Sequence, residues 1–259
     1  MKKYLLMILL LLNAVLSGCG EESPPPSQTA SSQVRQNPNA GGQPAQSASQ
    51  KQPWPFIKEE SGGRELAANL TAKNYLLVFD GSGSMSGSEC AAGKTKIEAA
   101  KAAVAEWSKT LPENANLGMV AFYQSKWASL PLTGGKKDKF IRFIKELNAG
   151  GTTPLTEAFE KAYKELTRQG QSQLGYGEYT IVSVTDGYAN DPDSLSQWVR
   201  YILSDSPIMI YTIGFCIGKD HSLNQPGYTV YKAADNPDEL RQGLREVLAE
   251  SETFDESDF

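Results

Sequence analysis

Asp80, Ser82 and Ser84 stand at alternate positions in the turn Asp80-Gly81-Ser82-Gly83-Ser84. Carboxylate and hydroxyl oxygens are hard ligands, suited to Mg²⁺, Mn²⁺ or Ca²⁺ rather than to soft metals. The turn begins where the apolar run Tyr75-Leu76-Leu77-Val78-Phe79 stops. That run is too short for a helix, is closed by glycines and has no polar break, as expected of a parallel strand covered on both faces. The carboxyl ends of such strands are where open α/β sheets bind ligands. Two later segments offer oxygens of the same kind. Gly150-Gly151-Thr152-Thr153 precedes a helical pattern, and Thr185-Asp186-Gly187 closes the apolar run 179–184.

The elements that must bring these segments together alternate strand with helix. Ile97, Ala100, Val104, Trp107 and Leu111 recur at helical spacing within 94–111, and 117–123 reads as a strand. A short strand at 126–132 precedes a helix at 139–147 with Phe140, Phe143, Ile144 and Leu147 on one face. Pro154 suits the first position of a helix over 155–166, with Thr153 as its N-cap. Strands at 179–184 and 208–213 flank a helix opened by Asp191-Pro192. A weaker strand at 229–232 is followed by Asn236-Pro237-Asp238-Glu239 and a last helix that turns Leu240, Leu244, Val247 and Leu248 inward. This is a doubly wound α/β pattern occupying 65–250, with an acidic tail at 251–259.

With these three segments in this order after strands, the chain resembles a von Willebrand factor type A domain carrying a metal-ion-dependent adhesion site. The D-x-S-x-S motif is met by Asp80, Ser82 and Ser84, the glycine-threonine turn by Gly150 to Thr153, and T-D-G by Thr185 to Gly187. The resemblance spans about 70–249. It implies a Rossmann-like, mostly parallel central sheet with helices on both faces and one short antiparallel edge strand. It also implies that Asp80, Ser82, Ser84, Thr153 and Asp186 hold a divalent cation, Mg²⁺ first, with Mn²⁺ or Ca²⁺ as alternatives. By family spacing the ligand threonine precedes a small residue by five and a large apolar one by six. Ala158 and Phe159 fit Thr153, while Thr152 stays open because it directly follows Gly151. Neutral hydroxyls leave such an ion electrophilic, so the implied partner is a protein that offers an acidic side chain to the metal, and the module is not an enzyme.

The amino terminus points to the cell envelope. Lys2 and Lys3 precede an apolar stretch at 4–16, whose 13 residues reach roughly 20 Å as a helix. A bilayer core needs about 30 Å, so residues 1–18 read as a signal peptide rather than a membrane span. Leu16-Ser17-Gly18-Cys19 resembles a lipobox, which implies cleavage before Cys19 and its lipidation, with outer-membrane export as the default where an outer membrane exists. Residues 19–64 read as a tether. From Gly20 to Pro55 there are seven Pro, seven Gln and six Ser, and Val34 is the only branched aliphatic residue. That composition cannot pack a core. Trp54-Pro55-Phe56-Ile57 is the one stretch there able to dock on the domain. Removing Lys2 and Lys3 takes the formal charge from −5 to −7, which argues against nucleic acid. Cys90 and Cys216 remain as an even pair in an exported chain, a disulfide or two buried thiols.

Competing chemistries fare worse. Gly87 to Thr95 imitates a phosphate-binding loop, but five residues separate Gly87 from Gly93 where that motif requires four. His221 is the only histidine, reads as a solvated loop residue and has no nucleophile motif beside it. A metal-assisted hydrolase lacks a base other than Asp80 and Asp186, which the metal would occupy. A structural envelope lipoprotein with a fold-stabilising metal is the remaining alternative.

Overall fold

The computed structural model describes residues 53–56 and 65–252. The signal peptide, Cys19, the rest of the 19–64 tether and the tail beyond 252 lie outside the described residues. Six strands form one sheet: β1 (Lys73–Gly81), β2 (Asn116–Tyr123), β3 (Lys126–Gly134), β4 (Glu178–Thr185), β5 (Met209–Phe215) and β6 (Val230–Ala234). Their order is β3-β2-β1-β4-β5-β6. All neighbours are parallel except β3, a nine-residue edge strand antiparallel to β2. The helices are α1 (Lys96–Thr110), α2 (Lys137–Lys145), α3 (Leu155–Ser172), α4 (Pro192–Asp205) and α5 (Pro237–Glu252).

Strand alternation assigns the helices to two faces. Tyr75, Leu77 and Phe79 of β1 pack with Ile97, Val104 and Trp107 of α1, Phe140 and Ile144 of α2, and Leu240 and Leu244 of α5. Leu76 and Val78 point the other way, onto Phe159, Tyr163 and Leu166 of α3 and Leu195, Val199 and Ile202 of α4. Both faces of β1 are therefore covered, and that is why its sequence is an unbroken apolar run. From β1 the chain winds first toward β2 and later toward β4 on the other side, so the winding reverses at β1 and β4. That reversal opens a crevice at the carboxyl ends of these two strands.

Three helix starts differ from the sequence reading, and α2 opens at Lys137, two residues before 139. α1 begins two residues later than Lys94, because Thr95 and Glu98 form a reciprocal capping box. Pro154 stands at the N-cap position of α3, outside the helix, and no side chain caps that end. Thr153 is thereby freed from capping.

At the amino ends of the strands, buried amides tie the sheet together. Asn116 Nδ2 donates to Asn74 Oδ1, and Asn74 Nδ2 donates to Gln173 Oε1, each at 2.8 Å. The segment 53–56 docks at this same pole. The Trp54 ring meets Tyr179 edge-on with centroids 4.7 Å apart, and its Nε1 donates to Thr167 Oγ1 at 3.0 Å. Gly170 makes room for it, since a Cβ there would lie 2.4 Å from the indole. Gln171 Nε2 donates to Pro55 O at 3.0 Å. Packing against the domain thus reaches back to Trp54, well before residue 65, because the indole and Pro55 supply apolar area and a carbonyl that the domain can hold. Trp54→Ala should lower stability by about 2 kcal/mol, below the range for a fully buried aromatic because the ring is only half-buried. A urea midpoint equal to the parent's would show that the clip contributes nothing.

Candidate metal centre

The three polar segments converge at the carboxyl ends of β1 and β4. Gly150 N donates to Gly81 O at 2.9 Å and Gly83 N donates to Gly151 O at 3.0 Å, so the glycine turn is laced to the turn after β1. Only glycine fits at 151. Its φ is +86°, and a Cβ would come within 2.5 Å of Ser125 N. The third segment joins through side chains. Thr185 Oγ1 donates to Asp80 Oδ2 at 2.6 Å, and Ser84 Oγ donates to Asp186 Oδ1 at 2.7 Å. The hydroxyls of Ser82 and Ser84 are 3.0 Å apart.

The Thr153 hydroxyl lies near Ser84. A Cβ added to Gly187 would lie 3.4 Å from Ser84 Oγ and 3.6 Å from Thr153 Oγ1, so both hydroxyls face the Gly187 backbone. Asn190 holds Thr153 from both sides. Its Oδ1 accepts from Thr153 N and its own N donates to Thr153 O, each at 3.1 Å. Thr152 lines a depression of about 250 Å³ on the other side of the turn, with Trp127 and Glu157.

Asp80 has no solvent exposure and Asp186 has 7%. Burial pushes the Asp80 carboxyl from an ordinary 3.8 up to about 6, with the nearby charge of Asp186 adding to it. Hydrogen bonds from the Ser82 and Thr185 hydroxyls and from Ser82 N, at 2.8 Å, pull it back down. Asp186 is held differently. Its Oδ2 lies 3.0 Å from Lys96 Nζ, an ion pair with little solvent access on either side.

Lys96, Thr185 and Asn190 belong to this centre although sequence reasoning assigned none of them a role. Thr185 was visible as part of T-D-G. Lys96 carried one signal, an ammonium in the first turn of a helix, where the dipole disfavours it. Asn190 carried none. His221 is a correction. It is 6% exposed rather than solvated, its Nδ1 accepts from Leu223 N and its Nε2 therefore donates to Gly187 O, each at 3.0 Å. The ring is stacked between Tyr188 and Tyr231. Cys90 and Cys216 are joined as a disulfide with Cα atoms 5.9 Å apart, which ties the loop after β1 to the loop after β5.

The donor set suits a hard divalent cation. It consists of two carboxylates and three hydroxyls around a buried, under-compensated negative charge, and it contains no thiol or imidazole donor. Among the described residues there is no cluster of three or more His, Cys, Asp or Glu side chains for a metal, so any cation here would rely on the hydroxyls. A depression of about 700 Å³ between α4 and the loop at 224–228 is lined by Arg200, Leu203 and Tyr228 and contains none of these donors.

This architecture is the von Willebrand factor type A fold. Residues 75–188 match a family model described as the von Willebrand factor type A domain. Three solved structures share the fold. A von Willebrand factor type A protein from Catenulispora acidiphila is 18% identical with a TM-score of 0.56, over 70% of this chain and 43% of that one. The vWF domain of the type V pili tip protein Mfa5 from Porphyromonas gingivalis is 12% identical with a TM-score of 0.57, over 73% and 99%. The manganese-loaded Plasmodium vivax TRAP protein is 18% identical with a TM-score of 0.51, over 70% and 72%. The chain therefore spans less than half the length of the first of these. No curated protein matches the chain.

The raised Asp80 carboxyl fixes a sign for metal-free protein. A native pKa above the unfolded one means that its stabilising contribution is complete below about pH 4 and lost as pH rises through about 6. Relative to Asp80→Asn, which cannot titrate, the parent should lose on the order of 2–3 kcal/mol between pH 4 and 6.5 in chelator. Parallel urea-stability profiles for the two proteins would refute it.

Proposed function

We propose that this domain is a non-enzymatic, divalent-cation-dependent protein-binding module, tethered to a bacterial envelope through a lipidated Cys19. The carrying observation is the convergence of Asp80, Asp186 and the hydroxyls of Ser82, Ser84 and Thr153 at the point where the winding of the sheet reverses. Mg²⁺ is the favoured ion, with Mn²⁺ or Ca²⁺ able to substitute, since all three take oxygen ligands. A fold relative crystallised loaded with manganese and another found at a pilus tip support this reading.

The residues divide the work by charge. Ser82, Ser84 and Thr153 would present neutral oxygens, and Asp80 and Asp186 would supply negative charge from β1 and β4. When bound, the cation supplies a Lewis-acidic position that can accept a carboxylate oxygen from a partner. Asn190 fixes Thr153 through its backbone, and Thr185 orients Asp80. The loops after β1, β4 and β5 rim the same edge of the sheet, where Tyr188 is 57% exposed. A metal-assisted hydrolase is disfavoured because the one imidazole of the chain is engaged at both ring nitrogens.

Mg²⁺ or Mn²⁺ at a hundredfold excess over Kd should stabilise the protein by about 2.7 kcal/mol, and Asp80→Ala or Ser84→Ala should abolish the effect. Partner captured from envelope extract should be released by EDTA. A thermal midpoint indifferent to both ions, or a partner retained in EDTA, defeats the proposal. Anchoring is tested separately by metabolic palmitate labelling, which Cys19→Ser should eliminate; label that survives the substitution would place the lipid elsewhere.

A further inference from the structure

We propose that Lys96 is an internal counter-ion of the cation site, one that weakens the hold on the metal and leaves the bound ion positive toward a partner. This rests on the cation-binding reading above.

The placement of Lys96 is not explained by its own helix. It opens α1 in the first turn, at the positive end of the helix dipole, where an ammonium is disfavoured. The helix start is already secured by Thr95 and Glu98. The Lys96 side chain is 11% exposed, and burying an ammonium is strongly unfavourable unless it is paired. Its pair is Asp186 Oδ2 at 3.0 Å, on a carboxylate with no side-chain exposure. Glu89 Oε2 lies at 3.6 Å, but that carboxylate is 71% exposed and screened by water.

Asp186 is thus divided between two roles. One oxygen is fixed by Lys96, and the other accepts from Ser84, itself one of the proposed ligands. Counting formal charge, Asp80 and Asp186 with Lys96 present a net −1 to a dication, so the loaded centre keeps a net +1. Without Lys96 it would be neutral. A residual positive charge favours an incoming carboxylate by Coulomb attraction, and the same ammonium repels the metal. Lys96 therefore shifts binding strength from the ion to the ligand that completes its shell.

Lys96→Met keeps the apolar stem and removes the charge. Isothermal titration of the full chain with Mn²⁺ at low ionic strength should give a Kd roughly tenfold tighter than the parent's. Lys96→Arg, which keeps the charge, should stay near the parental Kd. A purely structural lysine would not yield tighter binding when removed. If the Met variant does not fold, Lys96→Gln, which can still donate to Asp186, carries the same expectation. An unchanged or weaker Kd in a folded neutral variant overturns the role of Lys96 alone. A parent chain that binds no Mn²⁺ overturns the cation reading as well.

Discussion

Two carboxylates of like sign lie out of water at the ends of the two strands where the sheet reverses its winding. The polar contacts at that pole answer the cost of that burial, to which the repulsion between the two adds. Thr185 and Ser82 donate to Asp80, while Lys96 and Ser84 donate to Asp186, and these donors come from three separate stretches of chain. The compensation is unequal, however. Asp186 has a full positive charge beside it, whereas Asp80 has only dipoles and responds with a raised pKa. A buried anion answered by dipoles alone is the arrangement that an added cation improves most.

At the opposite pole the buried polar side chains are neutral, and the Lys73–Glu178 ion pair lies in partly exposed positions at the strand starts. Asn74, Asn116 and Gln173 satisfy one another and neighbouring carbonyls through neutral amides. Such a network is complete as it stands and needs nothing from outside. The contrast between an amide network at one end and a carboxylate centre at the other sets the two ends of the sheet apart.

Most of the fold was legible because its physics is local. Tyr75 to Phe79 is an unbroken apolar run since both faces of β1 are covered, and the glycines at 150 and 151 mark a turn that no side chain tolerates. The polar members of the centre were legible as well, because Asp80, Ser84 and Asp186 sit in short motifs directly after strands. What could not be read depends on contacts far apart in sequence. Lys96 acquires meaning only beside Asp186, ninety residues later. His221 looked like a surface residue until the loop folded it beneath Gly187 between two tyrosines. Helix caps fell between these cases. Thr95 with Glu98 is a local signal that the helix start at Lys94 passed over, whereas Pro154 stands outside its helix beside Thr153, which Asn190 holds from the next strand-to-helix loop.

The docking of Trp54 has a mechanical consequence. Tyr179, its aromatic neighbour, is the second residue of β4, and Asp186 follows the end of that strand, so the two lie about 23 Å apart along the strand axis. α3 spans the same interval, from the turn that carries Thr153 to the residues that grip Trp54. A force applied between Trp54 itself and the far pole would run parallel to β4 and α3. In that direction the ladder between adjacent strands is loaded in shear, with its hydrogen bonds sharing the force instead of opening one at a time. The Trp54 clip and the carboxylate centre thus sit at the two ends of the same set of strands and helix.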